Sequence, residues 1–385
     1  MSKKLLTIED LRFAAEKRVP KLAFDYLSGG AGEERNIHRN RASFDNILLC
    51  PEYIISLPDR EQKVKIFDHI YNGPIGISPM GLANLIWPKA DTILAKAANK
   101  RNVPYILSAV GTSSIEEIAD IAPNNTWFQL YVPQEEHICF ELIRRAKQSG
   151  IKVLVVTVDV PYPSKRLRDW KNNFSLPFKI KPSLIFDVLS KPQWLLGTLK
   201  DGTPRFKNLI PYMKDAFEGK SLSAAQILQA SPNLDKALLK RIRDEWDGPL
   251  VVKGILSPKT ALVAESCGVD GIIISNHGGR QLNSAPASIE ALPYILDVLQ
   301  PRTKTFIDSG IRGGEDVIKA FAMGAHYTFS GRSFMFGVGA LGPLGGEHVL
   351  DIFADEIDRI LAQIGCPDIN VLDQNFIWPP LNSKT

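Results

Sequence analysis

The sequence predicts an α/β protein whose centre is a (β/α)8 barrel, the TIM barrel, with an N-terminal helical extension and a long insertion after the fourth strand. Eight short runs of Val, Ile and aromatic residues each end in a polar or glycine turn, and helical patterns separate most of them. Continuously hydrophobic strands that alternate with helices favour parallel pairing with both faces covered. The chain has 385 residues, enough for such a barrel, which needs roughly 250.

The predicted strands follow one another through the chain. They lie at 74–80, 104–109, 126–132, 151–160, 249–255, 270–277, 303–310 and 326–332. Between them, the pattern at 114–122 begins with a Ser114/Glu117 capping box, and the pattern at 133–150 ends at a glycine. A doubly wound open sheet is the alternative fold, and the number of strands disfavours it.

We expect one domain over the whole chain, 1–385. Its parts are a helical extension at 1–70, the barrel at 71–365 with an inserted segment at 161–240, and a C-terminal tail at 366–385. A stretch as long as this insertion inside a compact domain is normally functional or mobile.

The composition is that of an ordinary globular protein, since 44% of the residues are hydrophobic and 23% are charged. The four cysteines are scattered without a CxxC pair, which argues against a disulfide framework or a zinc site. The N-terminus lacks the apolar stretch of a signal peptide, and no segment approaches the roughly 18 apolar residues of a spanning helix. We therefore expect a cytoplasmic protein without a metal site.

Positive charge is concentrated in part of the predicted insertion. Residues 171–220 contain nine Lys and Arg against four Asp and Glu, a surplus of +5, whereas the whole chain carries +4. No motif for reading nucleic acid accompanies this charge, so we expect no nucleic-acid partner. Such a basic and apolar segment could lie on an anionic membrane as a peripheral contact, or it could be a solvated or partner-covered excursion. The sequence leaves both interpretations open.

One glycine motif suggests a different kind of protein. Residues 337–342, GVGALG, match the G-x-G-x-x-G pattern of dinucleotide-binding proteins, and Asp358 lies about where a ribose-binding acid would be. However, the apolar residues around Asp358 have helical spacing. Asp358 is therefore expected on a helix rather than at a strand end, which disfavours a dinucleotide site.

The carboxyl ends of the predicted strands form the candidate site, because barrel enzymes build their active sites at that face. Nearly all of these ends carry polar, titratable or glycine residues: Pro79, Met80, Gly81, Ser108, Gln129, Tyr131, Thr157, Asp159, Lys253, Ser275, His277, Asp308, Gly310, Gly331 and Arg332. Arg312 lies just before a helix in the loop after the seventh strand. Loops seven and eight are the usual phosphate site of such barrels, so Arg312 and Arg332 are expected to bind phosphate.

Several of these stretches together resemble the FMN-dependent L-2-hydroxy-acid dehydrogenases and oxidases. SNHGGRQ at 275–281 is specific for that family, and FQLYV, TVDVP, VVKGI and DSGIRGG accompany it. The resemblance extends from KLAFDYLSGGA near residue 21 to LAQIGCPDI near residue 361. The family includes glycolate and lactate oxidases, membrane-associated L-lactate dehydrogenases and mandelate dehydrogenase. LIWPKAD, KPQW and IGCPD favour the mandelate and lactate dehydrogenase branch.

The resemblance implies which residues handle the substrate. His277 would be the general base, and Asp159 would orient its imidazole and stabilise the protonated form. Arg166 and Arg280 would bind the substrate carboxylate, since a guanidinium group matches a carboxylate through two hydrogen bonds. Two tyrosines would donate hydrogen bonds to substrate oxygens, Tyr26 and Tyr131.

The resemblance also implies an FMN site. Lys253 would place a positive charge beside N1 and the C2 carbonyl of the flavin, where it stabilises the anionic reduced ring. The flavin ring would be held by Pro79, Met80, Gly81, Ser108, Gln129, Thr157 and Ser275. The other cofactor-binding residues would be Asp308, Gly310, Arg312, Gly331 and Arg332.

One departure from the family pattern concerns the substrate. Glycolate oxidases carry a tryptophan two residues after the serine of the second strand, where this chain has Val110. A smaller wall admits a larger side chain, so lactate, mandelate or another bulkier acid is expected rather than glycolate.

The electron acceptor would be a quinone or another carrier in a dehydrogenase, or oxygen in a peroxide-producing oxidase, and the residues do not decide between them. They also do not separate hydride transfer from a carbanion route. A non-enzymatic flavin-binding barrel is a distant alternative, disfavoured by the joint presence of the base, the acid and the cations. The family implies a homotetramer.

Overall fold

The structure, a computed structural model, describes residues 5–56, 59–174, 182–212 and 234–379. Eight parallel strands close into a barrel in the order of the chain. They are β1 (Ile75–Ile77), β2 (Tyr105–Ser108), β3 (Thr126–Leu130), β4 (Val153–Thr157), β5 (Leu250–Ile255), β6 (Gly271–Ile274), β7 (Lys304–Ile307) and β8 (Tyr327–Ser330). The predicted barrel is confirmed, and each strand lies within its predicted range.

Helices surround the barrel, and further helices precede its first strand and follow its last strand in the chain. The described α-helices are α1 (Ile8–Arg18), α2 (Lys21–Ser28), α3 (Arg35–Asp45), α4 (Ala83–Ile86), α5 (Ala90–Arg101), α6 (Ile115–Ile121), α7 (Glu136–Gln148), α8 (Leu167–Lys171), α9 (Pro182–Leu189), α10 (Pro192–Asp201), α11 (Lys236–Glu245), α12 (Pro258–Ser266), α13 (Ser288–Leu296), α14 (Gly314–Ala322), α15 (Arg332–Leu341) and α16 (Gly345–Ile364). Two short antiparallel strand pairs lie outside the barrel, Leu48–Leu49 with Ile377–Trp378 and Val64–Ile66 with His69–Tyr71.

Aromatic side chains fill the amino-terminal part of the barrel. Trp127 of β3 packs edge-on against Phe329 of β8, with ring centroids 5.4 Å apart, and lies 5.9 Å from Phe306 of β7. All three side chains are fully buried. The hairpin at 64–71, which precedes β1, covers them. Phe67 in the turn of this hairpin packs on Trp127, and the Tyr71 hydroxyl accepts a hydrogen bond from the Trp127 indole at 3.0 Å. This part of the barrel is a packed core, so the site must lie at the opposite end.

The helix boundaries follow the sequence signals. Ser114 accepts a hydrogen bond from the Glu117 backbone N–H at 3.2 Å, as half of the predicted capping box requires. In the other half, the Glu117 carboxylate contacts the Ser114 backbone N–H and also accepts from Lys207 at 2.9 Å. α7 ends two residues before Gly150, whose φ is +75°.

The G-x-G-x-x-G sequence at 337–342 lies at the end of α15 rather than after a strand. Its glycines allow close helix packing: a Cβ on Gly337 would lie 2.4 Å from Val349 of α16, and one on Gly339 would lie 3.0 Å from Ala15 of α1. Asp358 lies on α16, where it forms an ion pair with Arg60 at 2.7 Å. The motif therefore serves packing, as the helical spacing predicts.

The predicted extension contains α1 to α3, and the predicted insertion contains α8 to α10 and the start of α11. Parts of the insertion, 175–181 and 213–233, lie outside the described residues, as do 380–385 of the predicted tail. The domain boundaries stay a prediction. Within the described residues no helix is long and apolar enough to cross a membrane, and no cluster of His, Cys, Asp and Glu could hold a metal ion.

Candidate active site

The predicted base and acid meet at the carboxyl end of the barrel. His277 lies three residues beyond β6 and Asp159 two residues beyond β4, and Nδ1 of His277 is 2.9 Å from Asp159 Oδ1. Nε2 of the same ring is 3.3 Å from the hydroxyl of Tyr131, the first residue after β3. Because the carboxylate holds Nδ1, Nε2 is the ring atom available for proton transfer. Burial, and next the charge of Asp159, raises the pKa of Tyr131, so its hydroxyl stays protonated.

The turn that carries His277 has an unusual backbone. His277, Gly278 and Gly279 have φ values of +59°, +64° and +75°, a region that residues with a side chain rarely adopt. A Cβ on Gly278 would lie 2.8 Å from Arg332 Nη1, and one on Gly279 would lie 2.9 Å from the backbone nitrogen of Ile37. The glycines thus let the turn approach the loop after β8 and helix α3, while His277 itself carries backbone strain.

Asn276 anchors this turn to α3. Its Oδ1 accepts from the Gly279 backbone N–H at 3.0 Å, and its amide exchanges two hydrogen bonds with Asn40, of 2.9 and 2.6 Å. A further bond of 3.0 Å reaches the carbonyl of Pro286. Sequence reasoning missed this role, since a buried asparagine has no periodic signal and its partner on α3, Asn40, is 236 residues away.

Gly254 in β5 makes room for the acid. Its φ is +102°, next to a bulge in the pairing of β5 with β6. A Cβ at this position would lie 2.5 Å from Asp159 Cγ, closer than any two carbon atoms can approach without a bond. Glycine here is therefore required for Asp159 to reach His277.

The two predicted carboxylate-binding arginines line the same cavity as His277. Arg280 Nη1 donates to the carbonyls of Tyr26 and Gly29, at 2.6 and 3.0 Å, and the guanidinium lies 5.0 Å from the Tyr26 ring centroid. Burial, and next the nearby Arg166, lowers the pKa of Arg280 to about 10. Arg166 Nε donates to the Ser164 hydroxyl at 3.3 Å. Two partly desolvated cations side by side favour an anion between them.

Backbone carbonyls at the end of α2 also hold Arg332, which sequence reasoning assigned to phosphate binding. Arg332 donates to the carbonyls of Leu27 at 2.9 Å, Gly29 at 2.9 Å and Gly278 at 2.7 Å. Burial, and next the charge of Arg280, lowers the pKa of Arg332. It therefore connects the N-terminal extension to the turn that carries His277, a structural use that the sequence did not reveal.

Lys253 lies at the centre of the barrel mouth. Its ammonium group donates to Ser275 Oγ at 2.8 Å and pairs with Asp308 Oδ2 at 3.0 Å, and all three side chains are buried. Ser78 also donates to Asp308 Oδ2, at 3.1 Å. Burial alone would raise the pKa of Asp308, but the charge of Lys253 and several hydrogen bonds outweigh it and lower that pKa. Asp308 is thus an anion that pairs with the ammonium group of Lys253.

The residues around Lys253 fit a flat ligand with polar edges. Ser108 Oγ donates to Gln129 Oε1 at 2.7 Å, which directs the Gln129 amide nitrogen elsewhere. That nitrogen and the hydroxyl of Thr157 are buried without a hydrogen-bond partner among the described residues. Buried polar groups are rarely left unsatisfied in native proteins. A flavin ring, whose edge carries both donors and acceptors, would satisfy them.

The loops after β7 and β8 offer cationic groups for a phosphate. Arg312 lines the cavity, and its backbone N–H donates to Asp316 Oδ2 at 2.7 Å. Burial, and next the charge of Arg41, lowers the pKa of Arg312 to about 10. Gly310 has a φ of +101°, and a Cβ there would lie 2.6 Å from the Asn40 carbonyl. A phosphate beside Arg312 would compensate a buried cation, so these residues fit FMN.

These groups open into one cavity of about 390 Å³, a size typical of small-molecule sites. Most of the predicted site residues line it; four lie just behind the lining, Ser108, Gln129, Asp159 and Ser275. Its apolar wall includes Met80, Ile86, Val110, Val160, Trp170 and Phe174. Tyr26 stacks on Phe174 with ring centroids 5.0 Å apart, and its hydroxyl lies 3.4 Å from the Gly81 carbonyl.

Sequence reasoning missed several residues of the insertion that line the cavity, among them Asp169, Trp170 and Phe174. Burial raises the pKa of Asp169, and the charges of Arg280 and Arg166 oppose that shift without outweighing it. The only local signal was the position of Asp169 three residues after Arg166, on one face of the short helix α8.

Comparison with known proteins agrees with this geometry. Residues 15–379 match the FMN-dependent dehydrogenase family. (S)-mandelate dehydrogenase of Pseudomonas putida is 36% identical over 377 residues, which cover 98% of this chain and 95% of the relative. An L-lactate dehydrogenase of Pseudomonas syringae pv. syringae is 34% identical over 369 residues, covering 96% and 97% of the two chains.

Solved structures give the same answer. The crystal structure of the monotopic membrane protein (S)-mandelate dehydrogenase superimposes with a TM-score of 0.91 at 34% identity, covering 97% of this chain and 99% of the other. A mandelate oxidase variant with (S)-mandelic acid has a TM-score of 0.80 at 30% identity, covering 95% and 96%. The chain belongs to the family of FMN-dependent dehydrogenases.

Proposed function

We propose that this chain oxidises an L-2-hydroxy acid to the corresponding 2-oxo acid, with FMN as its cofactor. The observation that carries the proposal is the His277–Asp159 pair, 2.9 Å apart, at the edge of a cavity that Arg166 and Arg280 also line. A base beside two anion-binding groups is what removal of a proton from a hydroxy acid requires. Bound FMN supplies the two-electron chemistry.

The protein side chains orient the acid and handle its proton. Arg166 and Arg280 bind the substrate carboxylate, which places the neighbouring carbon and hydroxyl beside His277. Nε2 of His277 takes up the proton, and Asp159 stabilises the resulting imidazolium. Asp159 Oδ1 contacts Nδ1 of His277, and Oδ2 is buried without a hydrogen-bond partner among the described residues. Tyr131, 3.3 Å from Nε2, donates to a substrate oxygen.

The apolar wall determines which acids fit. Val110 occupies a position where a tryptophan would narrow the cavity, and Met80, Ile86, Val160 and Phe174 extend the apolar surface. An apolar side chain on the substrate is desolvated there at about 25 cal/mol per Å² of buried area. The relatives that are named for mandelate and for lactate set the two substrates to compare.

The test is the visible spectrum of the FMN-loaded protein under anaerobic conditions, before and after adding L-mandelate and, separately, L-lactate. We expect one of these acids to bleach the flavin band while D-mandelate leaves it unchanged. A flavin band that neither L-acid bleaches would contradict the proposal. Admitting air then distinguishes acceptors: slow return of colour indicates a quinone or another carrier, and rapid return with peroxide indicates an oxidase.

We also propose that α9 and α10 dock the protein on an anionic membrane surface. Among the side chains of these helices whose exposure the structure describes, five apolar ones are exposed: Ile185, Phe186, Leu189, Leu196 and Leu199. Opposite them, Trp194 is buried and donates to the Leu85 carbonyl at 3.0 Å. Lys191 donates to the Lys17 carbonyl at 2.8 Å, and the Asp187 carboxylate accepts from the Lys21 backbone N–H at 2.7 Å.

These three hydrogen bonds fix one side of α9 and α10 to the rest of the protein, so the exposed apolar side chains face outward. An exposed apolar patch on a basic segment is typical of a membrane contact. The predicted segment 171–220 includes 175–181 and 213–220, which lie outside the described residues. The proposal therefore rests on the exposed apolar side chains of the two described helices. Their span, 182–201, has two lysines and two aspartates, and the basic surplus lies in the rest of the segment.

The triple substitution Phe186→Ser, Leu196→Ser and Leu199→Ser is expected to weaken binding to vesicles with anionic lipid by at least about 100-fold, since each side chain contributes about 1.5–3 kcal/mol when buried. Reduction of the flavin by the substrate should be unchanged. The matched control is Leu262→Ser with Val263→Ser, two exposed apolar residues on α12. Vesicle binding that the triple variant retains, or that the native protein lacks, would refute the docking surface.

The homotetramer that the family implies stays a prediction. The mass of the FMN-loaded protein in solution, from sedimentation equilibrium, distinguishes four copies of the 42.7 kDa chain from one.

A further inference from the structure

Ser309 has a backbone conformation that a serine seldom adopts. It follows Asp308 at the end of β7, its φ is +75°, and it is buried with 8% of its surface exposed. A residue with a side chain in the left-handed region is strained, and it persists where the surrounding structure holds it. Gly278 and Gly310, which lie nearby, also have positive φ values. The chain thus uses glycine at neighbouring positions where the backbone takes this conformation without a role for a side chain.

The hydroxyl of Ser309 contacts both Asp308 and the turn that carries His277. It donates to Asp308 Oδ1 at 2.9 Å and accepts from the Gly278 backbone N–H at 2.9 Å. Its donor and one of its acceptor positions are thereby used. Because Asp308 pairs with Lys253 through its other oxygen, at 3.0 Å, one hydroxyl group joins that ion pair to the turn that carries the base.

A second serine, Ser275, also connects the turn that carries His277 to the Lys253–Asp308 pair. Ser275 Oγ accepts from the His277 backbone N–H at 3.0 Å and from Lys253 Nζ at 2.8 Å. The amides of His277 and Gly278, which are consecutive, are therefore both held by hydroxyl groups that contact the Lys253–Asp308 pair. The two hydroxyl oxygens lie 3.5 Å apart. The hydrogen bonds form a closed ring of buried groups, in which the members support one another.

We infer that Ser309 is a positioning residue, which fixes the turn carrying His277 to the Lys253–Asp308 ion pair. The imidazole and the cationic edge of the cofactor site then keep one mutual geometry. Ser309 acts through Gly278 and Asp308 and needs no contact with the substrate. The left-handed backbone is the conformation in which the hydroxyl reaches both partners. The catalytic consequence rests on the proposed function, whereas the effect on the ion pair does not.

Two substitutions separate the hydroxyl from the strain. Ser309→Gly removes the hydroxyl and relieves the backbone strain, whereas Ser309→Ala removes the hydroxyl and keeps the backbone strain. Both are expected to slow reduction of the flavin by the L-2-hydroxy acid about tenfold, since loss of a support misplaces the base. Substrate affinity should change by less than about twofold, because the arginines are untouched. Only Ser309→Ala should lower Tm.

The reduction potential of bound FMN is the readout that needs no substrate. Without the hydroxyl, the Asp308 carboxylate loses a donor and acts more strongly on Lys253, so both variants should have a more negative potential. Lys89→Gly is the control for strain, since Lys89 has a φ of +60° outside the cavity. It should leave the potential and the rate of flavin reduction unchanged.

Ser309→Gly with the native rate and the native potential would overturn the inference. So would a slow rate confined to Ser309→Ala, because Ser309→Gly lacks the same hydroxyl and would then have the native rate. If no hydroxy acid reduces the native protein, the proposed function fails, and the potentials of the two variants still decide whether Ser309 supports the ion pair.

Discussion

Replacing His277 with glutamine is expected to slow reduction of the flavin by the L-2-hydroxy acid by about 10² to 10⁴-fold, the usual contribution of a general base. Glutamine can still form a hydrogen bond with Asp159 or Tyr131, but its amide does not accept a proton near neutral pH. Binding of FMN should be preserved, because the FMN contacts proposed here come from other side chains. The measurement is the loss of the visible flavin band in anaerobic stopped flow.

The control for this substitution is His348→Gln. His348 lies on α16, where its Nε2 contacts the Leu5 carbonyl at 2.7 Å, and it does not line the cavity. Its loss should leave the rate unchanged. A His277→Gln variant reduced within about threefold of the native rate would exclude His277 as the base, since that factor is well below what general-base catalysis contributes.

Replacing Lys253 with methionine is expected to affect both stability and chemistry. In the protein without cofactor, Asp308 would remain buried with its cationic partner gone, which costs about 3 kcal/mol or more of the free energy of unfolding. The hydrogen bonds from Ser78 and Ser309 offset only part of that cost. With FMN bound, the rate of flavin reduction should fall by about 10² to 10³-fold, because a fixed charge beside the reduced ring is lost.

The double variant Lys253→Met with Asp308→Asn separates the two effects. Removing the buried carboxylate charge should restore most of the stability, measured as Tm of the protein without cofactor. The rate of flavin reduction should stay low, since the positive charge is still absent. A double variant with a native rate, or a single variant with a native Tm, would contradict the assignment of Lys253.

Local patterns in the sequence predicted the barrel well. Strand runs such as 249–255 and 303–310 are hydrophobic throughout because both faces of a barrel strand are buried, and that property is visible in a few residues. The helix containing Asp358 was predicted for a similar reason, since a period of 3.6 is visible within four turns. The capping box at Ser114 is equally local, whereas the ion pair of Glu117 with Lys207, 90 residues away, has no local signal.

The candidate site could be predicted only in part. The resemblance pointed to His277 and Asp159, whose contact joins residues 118 positions apart. Nothing in the local sequence indicates that Gly254 must lack a side chain for that contact, or that Asn276 bonds to Asn40. Arg332 was assigned to phosphate from its loop alone, and its three bonds to backbone carbonyls depend on where the N-terminal extension packs.

By itself, the sequence determined the kind of barrel, the set of chemical groups at its carboxyl face and the family to which the chain belongs. The first two follow from periodicity and side-chain chemistry, which are local properties, and the family follows from the resemblance of motifs such as SNHGGRQ. Only the tertiary structure decided which groups contact one another, which polar atoms are buried without a partner, and why Ser309 adopts a strained backbone. Each of these depends on distances between segments far apart in the chain, and a hydrogen bond exists only within a few tenths of an ångström of its preferred length.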